Sequence, residues 1–162
     1  MNNINDVVKT INTNSVPLQE LVNSIVAESC GGLDDYMQSI DNMLIKDSDI
    51  PTETIENMML NINSMLYWIG NGLEQVTIRE SMAKMVHDEV YNKAYNSAEG
   101  TIGDKKASAI LEAQQEDIIK TCFTAALKLY QFKIDRAAEM SSALKKILTR
   151  RISELELSRG VT

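Results

Sequence analysis

The chain has 162 residues, 44% of them hydrophobic, and a net charge of −7 at neutral pH, length enough for one domain with a core. Nine methionines against two phenylalanines and one tryptophan, with only seven glycines and two prolines, exclude a loop-rich β protein and favour helices. No stretch approaches a membrane span, the opening MNNINDVVKTINTNS lacks the blocks of a secretion signal, and Cys30 and Cys122 form no close-spaced metal motif; these features point to a cytoplasmic, reduced protein.

The negative charge is unevenly placed. Residues 1–60 hold two lysines against ten acids, whereas residues 61–162 hold fourteen basic groups against thirteen acids. Acidity argues against nucleic acid as a partner, because phosphate binding depends on Lys and Arg. The acidic excess is confined to the first third, and from Lys128 to Arg159 eight basic residues face four acids. An anion-binding face therefore remains available there.

In chain order, Ser15, two residues before Pro17, is placed to begin a helix with Leu18, Leu21, Val22, Ile25 and Val26 on its apolar face. The paired glycines of CGGLDD are expected to end or break it. A shorter helix resumes at Leu33, with Tyr36, Met37, Ile40, Met43 and Leu44 at helical spacing. IKDSDIPTETIE then reads as a loop and a new start, with Asp and Ser as caps, Pro51 suited to a first turn, and Glu53 and Glu56 complementing the helix dipole.

From there Ile55, Ile62, Ile69 and Val76 repeat every seven residues, each of the first three followed after four by Met59, Leu66 and Leu73. That is a coiled-coil-like seam for a partner helix. The stripe drifts on through Ile78, Met82, Met85, Val86, Val90 and Ala94. Gly70 and Gly72 within the run mark either close helix packing or a hinge. Gly100 is placed to end this helix, and Thr101 with Asp104 forms a capping pattern that starts the next, so residues 99–103 read as a hairpin turn. The second rod carries Leu111, Ile118, Cys122, Ala125, Leu129, Phe132, Met140, Leu144, Ile147 and Ile152, and runs to about Leu157.

The expected fold class is therefore all-α. Residues 51–162 form a long antiparallel helical hairpin, and an acidic segment, 1–50, supplies shorter helices packed against it in one structural domain. Two rods cannot hide a wide apolar stripe from each other alone; the N-terminal helices or further copies must cover it, and a homo-oligomeric helical bundle is expected.

Catalytic signatures are missing: phosphate loop, nucleophile elbow, dinucleotide fingerprint and Cys-x-x-Cys all fail to match. No enzyme activity, metal or cofactor is expected. His87, the single histidine, has Lys84 where a ferritin-type Glu-x-x-His needs its acid, and reads as solvated or structural. Glu112, Glu116 and Asp117 read as a charged outer face. Tyr67, Trp68, Tyr91, Tyr95 and Tyr130 are expected to cap a core with rings inside and hydroxyls wet, though aromatics can also stack on unpaired bases. Lys128, Lys133, Arg136, Lys145, Lys146, Arg150 and Arg151, with Lys105 and Lys106 at the turn, form either a solvated face or a phosphate-tracking stripe; Lys146 and Arg150, four apart, share a helix face.

The order of elements in residues 55–157, with YW before a long helix, YNKAYNSAEG, a turn with DKKA, and a last helix ending LKKILTRRISELE, resembles the UvsY-like recombination mediators of tailed phages. The resemblance implies a helical oligomer that binds single-stranded DNA and assists a recombinase against single-strand-binding protein. In such proteins a basic and aromatic stretch precedes the turn, where Tyr91, Lys93 and Tyr95 stand here, although Asp88 and Glu89 occupy places where more positive charge is expected. Lys93, Lys105, Lys106, Lys145, Lys146, Arg150 and Arg151 then become the phosphate contacts and Tyr91 and Tyr95 the stacking groups. The other reading, from the Met-rich faces (Met58, Met59, Met65, Met82, Met85) and the acidic first third, is a protein–protein interaction module without nucleic-acid binding, such as a phage inhibitor or assembly factor.

Overall fold

The hydrophobic periodicity produces helices throughout the computed structural model, which describes the backbone of residues 4–46 and 50–159 and the side chains of 15–46 and 50–157. The elements are α1 (Ile4–Lys46), α2 (Thr52–Ser97), α3 (Ile102–Glu112) and α4 (Gln114–Arg159), with no strand among the described residues. The all-α class is as expected. None of these helices is long and apolar enough to cross a membrane.

The N-terminal third departs from expectation. The two shorter helices are one helix, with Pro17, Gly31 and Gly32 inside it. An interior glycine costs only about 1 kcal/mol relative to alanine. The residues around the pair, Cys30 at 1%, Leu33 at 2% and Ile40 at 0% exposure, bury enough apolar surface to outweigh that cost. The caps expected at Asp47, Ser48 and Asp49 lie outside the described residues. Instead the Pro51 carbonyl accepts from the N–H groups of Thr54 (3.0 Å) and Ile55 (3.2 Å), so Pro51 sits just before the first turn of α2.

The turn forms as expected. Gly100 has φ +105°, in the left-handed region that a side chain disfavours. Thr101 then caps α3: its Oγ1 accepts from the Asp104 N–H (3.3 Å), and its own N–H (2.9 Å) and hydroxyl (2.7 Å) donate to Asp104 Oδ2. Those bonds hold the Asp104 carboxyl below its usual range. The second rod is not continuous. At Ala113 (φ −89°, ψ 11°) the α3 ladder ends and α4 begins, although Asp117 N–H still bonds the Ala113 carbonyl at 2.9 Å.

Contacts divide the chain into two compact units, Met1–Ala27 with Leu73–Leu129 (unit 1) and Glu28–Gly72 with Tyr130–Thr162 (unit 2). In unit 2 the heptad positions Ile55, Ile62 and Ile69 are buried, with Tyr130, Ala137 and Leu144 of α4. Ser141 donates to Asn63 (3.4 Å), Asn61 to the Tyr36 hydroxyl (3.0 Å), Lys133 to Asp34, and Arg151 to the Ile50 carbonyl. Gly72 is a point of close approach: a Cβ there would lie 2.6 Å from Ser29 Oγ and 2.7 Å from the Tyr130 hydroxyl. Gly70 has nothing within 4 Å of the corresponding position. The same burial pushes the Tyr130 phenol and the Cys30 thiol up from their ordinary values.

In unit 1, Ala109, Ala113, Cys122 and Ala126 form the buried face of α3 and α4, opposite Val76 and Glu80 of α2. Thr124 donates to Glu80 across the pair (3.0 Å), and Lys84 bonds the same carboxylate at 2.6 Å. These bonds, that of Lys84 first, hold the Glu80 carboxyl below its usual range. Of the residues expected on the second rod's apolar face, Leu111, Ile118, Ala125, Phe132 and Ile152 face solvent instead. The seam follows small residues, because alanines permit close helix approach without leaving voids.

Candidate nucleic-acid interface

Unit 1 carries the residues flanking the turn. Tyr91 and Tyr95, one helical turn apart, stack with ring centroids 6.4 Å apart and planes 14° apart, and His87 continues the ladder at 6.2 Å and 21°. Both tyrosines are half-buried. His87 is tied on both sides: Nδ1 lies 2.9 Å from Asp88 and Nε2 3.6 Å from Asp117, which itself bonds Lys120 at 2.6 Å. The Lys120 bond holds the Asp117 carboxyl below its usual range. Lys93 and Lys106 are exposed and Lys105 half-buried. This end thus combines a ladder of rings already stacked on one another with two carboxylates beside it.

Unit 2 carries the other cations. Ser142, Lys145, Lys146, Thr149 and Arg150 line one shallow concavity. Their spacing of three, four, seven and eight residues is that of a single helix face. At 100° per residue that face points away from Leu144, which is fully buried. Lys145, Lys146 and Arg150 are exposed, and the Arg150 Nε also donates to Glu154 at 2.8 Å. Arg151 differs from its neighbours: it is half-buried and its guanidinium holds the Ile50 carbonyl at the start of α2. The seven cations and two tyrosines assigned from sequence therefore fall into two sets, five residues on unit 1 and four on unit 2.

The core expectation fails for one aromatic pair in unit 2. Tyr67 and Trp68 are 73% and 67% exposed, packed edge to face with centroids 5.5 Å apart. The adjacent Ile69 points inward at 3%, so the helix turns its neighbours outward. Tyr130 alone of the five aromatics is a core residue, at 1%. The seven-residue spacing of Ile55, Ile62 and Ile69 contained this information, since 67 and 68 fall off that seam.

No group of three metal-binding side chains occurs among the described residues. Comparison with family models, curated proteins and solved structures finds no match to this chain.

Proposed function

We propose that this protein is a non-enzymatic, phage-type accessory factor of DNA recombination or replication that holds single-stranded DNA and assists a recombinase. The observation that carries the reading is the outward face of α4, where Lys145, Lys146 and Arg150 stand with Ser142 and Thr149 on one side of a helix. Regularly spaced cations with hydroxyls suit a phosphate backbone, and an exposed aromatic pair such as Tyr67–Trp68 suits unpaired bases. The resemblance of residues 55–157 to UvsY-like mediators points the same way. On this reading Tyr67 and Trp68 replace the half-buried Tyr91 and Tyr95 as the stacking groups, and Arg151 serves the fold first.

Trp68 is the single tryptophan, so its fluorescence reports directly on this pair. Titration with an unlabelled thymidine oligonucleotide is expected to quench it saturably. Three phosphate contacts per chain give a log–log salt slope of about −2. The double variant Lys146→Glu, Arg150→Glu should abolish quenching with helicity intact; unchanged affinity would overturn the assignment. A flat titration of folded wild-type protein would favour the second reading, a protein-interaction module, which rests on the exposed apolar stripe of unit 1.

A further inference from the structure

The apolar stripe in the second half of α2 is not covered by its own chain. Ile78 is 54% exposed, Met82 59%, Met85 72% and Val86 49%. Beside it lies a groove of about 240 Å³ between α2 and α4, lined by Arg79, Met82, Val86, Glu116, Ile119 and Phe123. Two observations say more than apolarity. Glu116 Oε2 is buried with no hydrogen-bond partner, an arrangement that costs free energy until a donor reaches it. Arg79, on the opposite wall, has five donors and is exposed, with no partner among the described residues.

We infer that this groove is a self-association interface whose occupant is a second copy of the same chain. Groove and adjoining ridge share one patch, and the patch carries both a cation and an unsatisfied carboxylate. Such a surface is self-complementary under a two-fold axis, where each contact occurs twice with roles exchanged. Arg79 of each copy donates to Glu116 of the other, while Met82, Met85 and Val86 of one copy fill the groove of the next. Methionine suits this role because its unbranched side chain adapts to an irregular surface. A nucleic acid would leave the apolar walls unmatched, and a membrane surface would leave Glu116 facing hydrocarbon. The interface is independent of the basic face on unit 2 and requires no DNA.

The test uses charge reversal in trans, with sedimentation equilibrium of the full chain in the absence of nucleic acid. Wild type is expected to exceed its 18.1 kDa monomer mass in a concentration-dependent way. Arg79→Glu sets a second carboxylate against Glu116 of the other copy, and Glu116→Arg sets a second guanidinium against Arg79. Each weakens association at least about tenfold, since like charges across an interface repel. An equimolar mixture of the two variants restores it, because every contact between unlike chains is then between like-signed partners on neither side: one face pairs two native opposite charges and the other pairs the two reversed ones. Restoration on mixing excludes an Arg79–Glu116 pair within one chain. Should Glu116→Arg fail to fold, Met85→Glu, at a 72% exposed position, provides the second probe and is expected to dissociate the protein with its helicity unchanged. A wild type that stays at 18.1 kDa throughout, reversals that associate normally, or a mixture of folded variants that stays monomeric would each overturn the proposal. The Lys146→Glu, Arg150→Glu protein should associate as wild type does, which separates failure here from failure of DNA binding.

Discussion

The two halves of α2 are built from similar apolar content and use it in opposite ways. In unit 2 the isoleucines at 55, 62 and 69 are all at 3% exposure or less, sealed by α4 and α1. In unit 1 the residues turned toward α4 include Glu80 and His87, and the larger apolar side chains at 78, 82, 85 and 86 face outward. The difference teaches that a heptad stripe specifies a partner helix but not whose. One half is satisfied within the chain; the other holds together through small residues and polar bonds and presents its apolar surface outward.

The largest expected effect lies in the sealed half. Ile62→Ala, at a fully buried position, should destabilise by about 2–5 kcal/mol through lost transfer energy and a residual cavity. Ile78→Ala, measured at concentrations where chains are dispersed, should change stability by no more than about 0.5 kcal/mol. Urea unfolding of both variants checks the contrast, and equal losses would break the comparison. Next comes Gly72→Ala, whose methyl group would collide with Ser29 and Tyr130; overpacking of this kind costs about 1–3 kcal/mol. Gly70→Ala should have the opposite sign, stabilising by about 0.5–1 kcal/mol, because open space surrounds it and alanine is the better helix former.

The smallest effect is one of pH. Glu80, Asp104 and Asp117, whose carboxyls are held low by Lys84, Thr101 and Lys120 respectively, all lie in unit 1. A carboxyl with a depressed folded pKa stabilises fully above its unfolded value, about 4, and that contribution is lost as pH falls through the folded value. Hydrogen exchange at about pH 7 and about pH 3, on either side of that value, should show protection near these three residues falling with acid. Glu80→Gln should lessen the pH dependence around Thr124, and an unchanged profile would remove Glu80 from the account.

Most of the architecture was legible in the sequence where a strong local signal stood alone. Gly100, Thr101 and Asp104 wrote the turn, and the isoleucine heptads wrote the first half of α2. Three features were hidden for identifiable reasons. The Gly31–Gly32 pair reads locally as a break, but tertiary burial at Cys30, Leu33 and Ile40 outweighs a local preference of about 1 kcal/mol per glycine. The seam of α3 and α4 runs through Ala109, Ala113, Ala126 and Ala137, and alanine carries little weight in a search for large apolar side chains. For the candidate site, helix spacing placed Lys146 and Arg150 together. The outward turn of Tyr67 and Trp68 was also legible, because both fall off the isoleucine heptads, whereas nothing local distinguished Arg151, which meets the Ile50 carbonyl 101 residues away.

The register of the paired helices has a consequence for the order in which the protein is made. The α2–α4 partners in unit 1, Glu80 with Thr124 and His87 with Asp117, are 44 and 30 residues apart. In unit 2, Asn63 meets Ser141 across 78 residues, and Asp34 meets Lys133 across 99. Short loops close at lower entropic cost than long ones, and local contacts form sooner. On the ribosome the hairpin around Gly100 can therefore close while the isoleucine face of residues 55–69 is still bare, waiting for residues 130–151 to emerge. Pulse proteolysis of stalled chains whose residue 129 has just cleared the exit tunnel should find the hairpin protected and the isoleucine face cut.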